Sequence, residues 1–312
     1  MLSSRLKIWL MAIRPKTLPA GIAPVLLGTA MAVGDGVYDL PSAMLALFGA
    51  LTIQIGTNLA NDYFDFQKGA DTAERIGPVR VTQAGLLDPL AVLSAAVLFF
   101  GFAVLIGSLL IIRAGWPVAV IGVLSIVCGL LYTAGPWALG YLGLGEIFVF
   151  IFFGPVAVAG TYYVQSFEMN AAVILAGIGP GLLSAAILAV NNLRDIATDR
   201  ESGKKTLAVR FGRSFAQGEY FFCIVLAMLM PVFIFLFIND HQEILLSSAT
   251  LLLAFPAIRT MFTRIDGPSL NHALALTGRL LLIYCILFGV GWISLDYLTL
   301  NRIIQTLKHS FL

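Results

Sequence analysis

Charged residues are the scarcest class in this sequence. Of its 312 residues, 59% are hydrophobic and only 12% are charged, and the mean hydropathy is +0.92. A soluble protein carries about 25% charged residues, so this composition excludes an ordinary water-soluble globule. Because backbone groups in hydrocarbon must pair within their own segment, we predict an all-α, polytopic membrane protein.

Cysteine and histidine are also rare. The cysteines lie inside apolar runs without CxxC spacing: Cys128, Cys223 and Cys285. The histidines are scattered: His241, His272 and His309. This pattern excludes a disulfide framework and a zinc site of ordinary spacing, and a catalytic or metal-binding histidine would need convergent partners. The net charge of +2 says little by itself, and we expect no nucleic acid among the partners.

Long apolar runs follow one another along the whole chain. About 20 apolar residues cross a bilayer as a helix, and on that basis we predict nine transmembrane helices. They form one domain, 1–312, with pseudo-repeat halves at about 1–140 and 141–312. The predicted spans are 17–34, 41–61, 90–112, 116–133, 146–166, 171–191, 218–238, 244–262 and 273–295.

Lysine and arginine are distributed unevenly between the connections of these spans. Sixteen of the 19 basic residues fall on one side, and the exceptions are Arg113, Arg302 and Lys308. Basic residues concentrate on the cytoplasmic side of membrane proteins. We therefore predict a cytoplasmic amino terminus, an outer carboxyl terminus, and an active site facing the cytoplasm from the plasma (inner) membrane, on the long loops 62–89 and 192–217.

Two clusters of asparagine and aspartate follow the second and sixth spans. The first acidic cluster contains Asn61 and Asp65, followed by Asp71 after a turn at Gly69; the second contains Asn191, Asp195 and Asp199. Residues four apart share a helical face, so each cluster forms one acidic face if its helix continues inward. Asp62 points about 100° away on an ideal helix and is a weaker candidate.

Such clusters need cations to balance their charge. Mg²⁺ prefers oxygen ligands and completes its shell with substrate phosphates, so we predict two Mg²⁺ ions with a diphosphate between them. Arg200, Lys204 and Lys205 would neutralise the remaining phosphate charge. The alternative is that both clusters are solvated helix ends, and their recurrence in the two halves argues against it. The predicted metal-binding and catalytic residues are Asn61, Asp65, Asp71, Asn191, Asp195 and Asp199.

At these residues the chain resembles the UbiA superfamily of intramembrane prenyltransferases, most closely its 1,4-dihydroxy-2-naphthoate polyprenyltransferase branch. The resemblance covers nearly the whole length. It is carried by RPKTLPAGIAPVLLGTA (14–30), NLANDYFDFQKGAD (58–71) with ERIGPVR, YTAGPWALGYLGLGEI with FFGPVAVAGTYYVQ, and NNLRDIATDRESGKKTLAVRFG (191–212). The superfamily's common first motif is N-x-x-x-D-x-x-x-D, whereas Asp71 follows Asp65 by six residues, as in the naphthoate branch.

The resemblance implies transfer of an isoprenoid chain from a polyprenyl diphosphate to 1,4-dihydroxy-2-naphthoate. Diphosphate and CO₂ are lost, and the product is demethylmenaquinol, a precursor of menaquinone. Two alternatives stay open at this point. One changes the acceptor to 4-hydroxybenzoate or another quinone precursor. The other is an ion-coupled secondary transporter, which would place acids near the bilayer midplane and not at the helix ends.

Several further side chains are candidates for substrate binding, each with a plainer interpretation. The basic residues could anchor the protein at the cytoplasmic interface or contact the diphosphate or an aromatic carboxylate. Tyr132, Tyr162 and Tyr163 could face a carbocation or pack between helices, and Asn58 could do either. Glu146 suits a helix N-terminus or the acceptor. The candidates are Arg14, Lys16, Lys68, Arg80, Arg200, Lys204, Tyr132 and Glu146.

Overall fold

The computed structural model describes residues 4–70 and 76–293. Within these ranges all regular structure is helical, which confirms the predicted fold class. We name the helices in chain order: α1 Ser4–Ile13, α2 Leu18–Gly34, α3 Leu40–Gln67, α4 Pro89–Ala114, α5 Trp116–Leu131, α6 Gly145–Ser166, α7 Ala171–Arg194, α8 Ile196–Glu201, α9 Leu207–Phe211, α10 Arg213–Ile238, α11 Gln242–Thr263 and α12 Gly267–Ile293.

Eight helical segments of the described chain are long and apolar enough to cross a membrane, so the protein is a multi-pass membrane protein. They are α2 together with α1, then α3, α4, α6, α7, α10, α11 and α12. The remaining predicted span, α5, has 16 residues, or about 24 Å of helix, against a hydrocarbon core of about 30 Å. The count of nine and the positions of the termini stay predictions.

Helix α3 extends six residues beyond its predicted end and contains the whole N-x-x-x-D pattern of the first acidic cluster. Its start is fixed by the Asp39 carboxylate, which accepts a hydrogen bond from the backbone N–H of Ser42 at 2.9 Å. The helix ends before Gly69, which adopts the left-handed conformation (φ 64°) that glycine commonly has at the end of a helix. Asn61 and Asp65 therefore share one helical face, as predicted.

Helix α7, in contrast, does not continue without interruption through the second acidic cluster, so the condition under which Asn191, Asp195 and Asp199 would share one helical face is not met. The helix ends at Arg194, and Asp195 adopts φ −97° and ψ 11° before α8 begins. The Thr198 hydroxyl donates to the Asp195 carbonyl at 3.1 Å, a side-chain bond that competes with helical pairing. Asp199 is thereby carried on a separate short helix.

Helices α6 and α7 cross closely because glycines remove side chains from their contact. Pro155 has no backbone N–H and widens the α6 turn at 152–156, where Gly154 leaves helical geometry. A Cβ on Gly177 would lie 2.6 Å from the Cα of Pro155. This crossing fixes the relation between the inner end of α7 and the start of α6.

The largest group of buried apolar side chains lies among α2, α6, α7, α10, α11 and α12, and a smaller one joins α1, α3 and α4. At the opposite end from the acidic clusters, Asp35 accepts hydrogen bonds from Tyr162 Oη at 2.6 Å and Trp292 Nε1 at 2.7 Å. Tyr163 donates to the Ala114 carbonyl at 3.2 Å. The packing interpretation of both tyrosines therefore holds, because neither faces the acidic clusters.

Candidate active site

The first acidic cluster is centred on Asp65, which is 1% exposed. Its carboxylate pairs with Arg80 Nη2 at 3.2 Å and accepts a hydrogen bond from Tyr141 Oη at 2.9 Å. Lys204 Nζ lies 3.5 Å from its Oδ1. Three separate segments thus converge on one buried carboxylate at the inner end of α3.

Lys204 connects this carboxylate to the second acidic cluster. Its ammonium lies 3.5 Å from Asp65 Oδ1 and 3.7 Å from Asp199 Oδ1, so these two oxygens are at most about 7.2 Å apart. The Lys204 backbone N–H donates to the Asp199 carbonyl at 2.8 Å, which fixes the turn after α8. The two clusters, 134 residues apart in sequence, therefore meet around one cation.

The loop between α5 and α6 holds the two clusters together. The centroid of the Tyr141 ring lies 4.3 Å from Lys68 Nζ and 5.0 Å from Lys204 Nζ. Its carbonyl accepts a hydrogen bond from the Lys205 N–H at 2.8 Å, and Gly143 approaches the Lys205 carbonyl so closely that a Cβ would lie 2.5 Å from it. Tyr141 thus contacts both halves of the site.

Lys68 is held beside this ring by a hydrogen bond from its Nζ to the Gly135 carbonyl at 2.9 Å. Partial burial lowers the pKa of the Lys68 ammonium; Asp65 opposes that shift and Lys204 adds to it. The ammonium groups of Lys68 and Lys204 thus lie beside Asp65 in the protein itself, before any substrate binds.

Asp195 is the centre of a second ion pair. Arg194 binds it in a bidentate manner, with Nε at 2.8 Å from Oδ1 and Nη2 at 2.6 Å from Oδ2. Arg194 Nη1 also donates to Asn271 Oδ1 on α12 at 2.6 Å. These bonds tie the break between α7 and α8 to the last helix.

The other predicted metal-binding residues differ in their surroundings. Asn61 Oδ1 accepts a hydrogen bond from the Thr133 hydroxyl at 2.7 Å. Asn191 is partly buried on the last turn of α7. Asp71 lies outside the described residues.

The remaining basic candidates lie at the edge of the site. Arg200, Lys205 and Lys16 are exposed, and Arg14 sits in a left-handed conformation with φ 57° just before α2. Asn58 holds this turn, because its Nδ2 donates to the Ile13 carbonyl and to Thr17 Oγ1. The packing interpretation of Asn58 is thus supported.

Asp62 does not share the helical face of Asn61 and Asp65. It is buried, and its Oδ2 accepts a hydrogen bond from the Val81 N–H at 3.3 Å. This bond fixes the loop that carries Arg80 to Asp65.

Glu146, on the first turn of α6, and Tyr132, directly after α5, lie close to each other and to the acidic clusters. Glu146 accepts a hydrogen bond from Asn192 Nδ2 at 2.6 Å. A Cβ on Gly145 would lie 3.0 Å from the Tyr132 hydroxyl. Burial, followed by the charges of Glu146, Asp199 and Asp65, raises the pKa of the Tyr132 phenol, which therefore stays protonated at neutral pH.

An apolar cavity of about 310 Å³ begins beneath these residues. It runs between α2, α3, α4, α5 and α6, and Thr57 and Tyr132 line its inner end. Thr57 precedes Asn61 by one helical turn, so the cavity ends directly below the first acidic cluster. A charged site and an apolar channel are thus joined end to end.

Sequence reasoning did not identify several residues that build this site. They are Tyr141, Thr133, Asn192 and Arg194. Tyr141 and Thr133 lie within the central segment YTAGPWALGYLGLGEI that carried the resemblance, and the other two lie within the second motif. The motifs therefore contained the signal, although the spacing of acids alone did not single these residues out.

The chain is similar in sequence to a known family of proteins. Residues 21–277 match the model of the UbiA prenyltransferase family. The chain is 37% identical over 298 residues to 1,4-dihydroxy-2-naphthoate octaprenyltransferase of Escherichia coli (strain K12), covering 92% of this chain and 96% of that protein. It is 43% identical over 205 residues to the protein of the same name from Mycobacterium tuberculosis, covering 65% of this chain and 70% of that protein.

Solved structures share the fold. A UbiA homolog from Archaeoglobus fulgidus bound to GPP and Mg²⁺ has a TM-score of 0.67 at 17% identity, covering 92% of this chain and 100% of that one. This likeness confirms the helical architecture, and the match over 21–277 extends to both acidic clusters. The chain belongs to the UbiA prenyltransferase family.

Proposed function

We propose that this protein transfers a polyprenyl chain from its diphosphate to 1,4-dihydroxy-2-naphthoate, releasing diphosphate and CO₂ and forming demethylmenaquinol. Family membership and relatives of that activity over most of the chain support the reaction. We further propose that it works in the plasma membrane with its site facing the cytoplasm, as the distribution of basic residues indicates.

The observation that carries this proposal is the junction of the acidic clusters with the apolar cavity. Asp65 and Asp199 meet around the Lys204 ammonium, and the cavity begins at Thr57, one helical turn before Asn61 and about two before Asp65. A prenyl diphosphate has the same two parts, a highly charged head and a long apolar tail.

The donor set of this site fits Mg²⁺. Asp65, Asp199 and Asn61 offer carboxylate and amide oxygens, which Mg²⁺ prefers, and Lys204 demonstrates that a cation is accommodated between the two carboxylates. Among the described residues, no group of three or more acidic, histidine or cysteine side chains is arranged so that it could hold a metal ion by itself. This agrees with an ion that takes part of its shell from substrate phosphate.

We propose that Asn61, Asp65, Asp71, Asn191, Asp195 and Asp199 hold two such ions. When bound, they would neutralise charge that develops on the departing diphosphate. The UbiA homolog from Archaeoglobus fulgidus has been solved bound to Mg²⁺ and bound to Cd²⁺.

The protein's own cations have a parallel role in our proposal. Lys68, Lys204 and Arg80 converge on the first acidic cluster, where they would bind the phosphate oxygens and disfavour return of the leaving group. The allylic C–O bond breaks with its electron pair leaving on diphosphate, and a ring carbon of the acceptor forms the new C–C bond. The ring carboxylate leaves as CO₂, and the electron pair of its C–C bond stays with the ring and cancels the positive charge gained on alkylation; a proton displaced from the alkylated carbon is regained at the carbon that loses CO₂.

The test is an assay of purified protein with octaprenyl diphosphate, each candidate acceptor, and Mg²⁺ present or chelated. We expect Mg²⁺-dependent product from 1,4-dihydroxy-2-naphthoate. Asp65→Asn and Asp199→Asn should each lower kcat by at least about 100-fold, because preorganised charge at a transition state contributes on that scale.

Asp88→Asn is the matched control. Asp88 is also an aspartate of the inner loops, but it caps α4, and asparagine caps a helix about as well. Product formed only from 4-hydroxybenzoate would defeat the acceptor assignment. Near-normal turnover of both cluster variants would defeat the site.

A further inference from the structure

A buried polar pair lies beside the candidate active site without belonging to either acidic cluster's metal-binding face. Glu146, on the first turn of α6, is 7% exposed, and Asn192, near the end of α7, is 9% exposed. Asn192 Nδ2 donates to Glu146 Oε1 at 2.6 Å. Apart from the residue's own backbone N–H, Asn192 is the one hydrogen-bond donor that Glu146 meets among the described residues.

The pair lies where the cavity meets the charged site. Gly145, adjacent to Glu146, packs against the Tyr132 hydroxyl, and Tyr132 lines the inner end of the cavity. Asn192 follows Asn191 of the second acidic cluster. A reacting allylic carbon, placed between a diphosphate at the clusters and a tail in the cavity, would therefore lie beside Glu146.

The chemistry of Glu146 suits a partner that donates a hydrogen bond. A buried carboxylate is expensive unless its oxygens are hydrogen-bonded, and Asn192 satisfies one of them. The same bond fixes the orientation of the carboxylate. The Glu146 backbone N–H also donates to this carboxylate, and because a carboxylate offers about four lone-pair sites, acceptor capacity is left for a further donor.

We propose that Glu146, oriented by Asn192, accepts a hydrogen bond from a ring hydroxyl of the aromatic acceptor and so selects a hydroxylated ring. This inference rests on the proposed prenyl transfer and assigns its acceptor site. A phenol that donates to a carboxylate gains electron density on its ring, which favours attack on the electron-poor allylic carbon. The acceptor's own carboxylate is repelled by Glu146, so the ring enters with a hydroxyl toward α6.

The experiment compares wild type with Glu146→Gln, using 1,4-dihydroxy-2-naphthoate and the two naphthoates that lack one of its hydroxyls. Wild type should prefer the dihydroxy acceptor. In Glu146→Gln we expect kcat/KM for that acceptor to fall at least about tenfold, since charge-assisted hydrogen bonds are roughly twice as strong as neutral ones. Its preference over one of the monohydroxy acceptors should shrink by a similar factor.

Two further measurements distinguish acceptor binding from a structural tie between α6 and α7. The KM for octaprenyl diphosphate and the affinity for geranyl thiodiphosphate should stay within about twofold of wild type. Asn192→Ser keeps the Glu146 carboxylate but removes the amide that orients it. This variant should raise the KM for the acceptor and so lower kcat/KM, as expected for Glu146→Gln. Glu201→Gln, at an exposed acid on α8, is the charge-matched control and should change nothing.

The outcomes separate this inference from the proposed function. A wild type that prenylates none of the naphthoates overturns the proposed function itself. An active wild type with unchanged acceptor preference in Glu146→Gln overturns only the inference, as does an equal loss for donor and acceptor. If Glu146→Gln fails to fold, Glu146→Asp, which withdraws the carboxylate by one methylene, must show the same loss of acceptor preference.

Discussion

Lys204 touches both acidic clusters, through Asp65 and Asp199. Asp65, at 1% exposed, would be costly as an isolated charge in such a place, and Lys204 and Arg80 offset that charge. Because the same carboxylates are the proposed Mg²⁺ ligands, metal and lysine act on the same oxygens. The resting site is thus held together by cations that the protein itself supplies.

Tyr141 gives the sharpest prediction at this scale. Tyr141→Phe removes the 2.9 Å hydrogen bond to Asp65 but keeps the ring between Lys68 and Lys204. A hydrogen bond to a charged group contributes about 1.5–3 kcal/mol, so kcat/KM should fall roughly tenfold or more in a steady-state assay.

The ring of Tyr141 can be tested separately. Tyr141→Leu also loses two cation–π contacts, each about 0.5–1 kcal/mol at exposed sites, and the KM for the prenyl diphosphate should rise further. Tyr38→Phe, at a tyrosine 61% exposed on an outer connection, should leave the kinetics unchanged. Equal activity of wild type and Tyr141→Leu would remove Tyr141 from the site.

Local spacing predicted some of these residues and not others. Asn61 and Asp65 share a face because one continuous helix contains both, and four-residue spacing expresses that directly. Tyr141 meets Asp65 across 76 residues, and Arg194 meets Asn271 across 77. Such contacts depend on how loops fold over the bundle, which no periodicity in the sequence encodes.

At the scale of helices, the sequence predicted the elements well and their ends less well. Apolar runs bounded by glycine, proline and charge gave the ends of the long described helices to within about six residues, and the predicted end at 295 lies outside the described residues. The break at Asp195 was not predicted, because the four-residue spacing of the second acidic cluster suits a continuous helix, whereas Asp195 adopts φ −97° and ψ 11°. The widened turn at Pro155 was also unpredicted, although a proline inside a span is its usual cause.

The cavity between α2 and α6 leads to a prediction about donor length. Gly122 lines it on α5, and nothing lies within 4 Å of a Cβ placed there. Gly122 is nine residues from Leu131 at the inner end, or about 14 Å of helix. Gly122→Leu should therefore obstruct a long tail while sparing a short one.

We expect kcat/KM for octaprenyl diphosphate to fall at least about tenfold in Gly122→Leu, because overpacking a filled site costs about 1–3 kcal/mol. The value for geranyl diphosphate should stay near wild type. Gly101→Leu, on α4 with open space around it and outside the cavity lining, is the matched control. Equal losses for both donors in Gly122→Leu would exclude this cavity as the binding site of the tail.

At the scale of the whole molecule, both acidic clusters and the loop that joins them belong to one end of the bundle. The ion pairs of Asp65, Asp195 and Asp199 all lie there. The opposite end carries different polar contacts. There Asp39 forms an ion pair with Arg113 at 3.1 Å, and the Asp35 carboxylate accepts hydrogen bonds from Tyr162 and Trp292. The two ends are therefore chemically distinct, which the distribution of basic residues along the sequence had already indicated.

This asymmetry predicts the orientation of the protein in its membrane. If the basic end is cytoplasmic, a cysteine replacing Glu201 on α8 should react with an impermeant maleimide only in inverted membrane vesicles. A cysteine replacing Asp240, which is 77% exposed at the opposite end, should react only in right-side-out vesicles. Both would be introduced after replacing Cys128, Cys223 and Cys285, and each serves as the control of the other. The reverse labelling pattern would put the acidic clusters outside, away from a cytoplasmic supply of prenyl diphosphate, and would contradict the proposed orientation even if the purified protein were fully active.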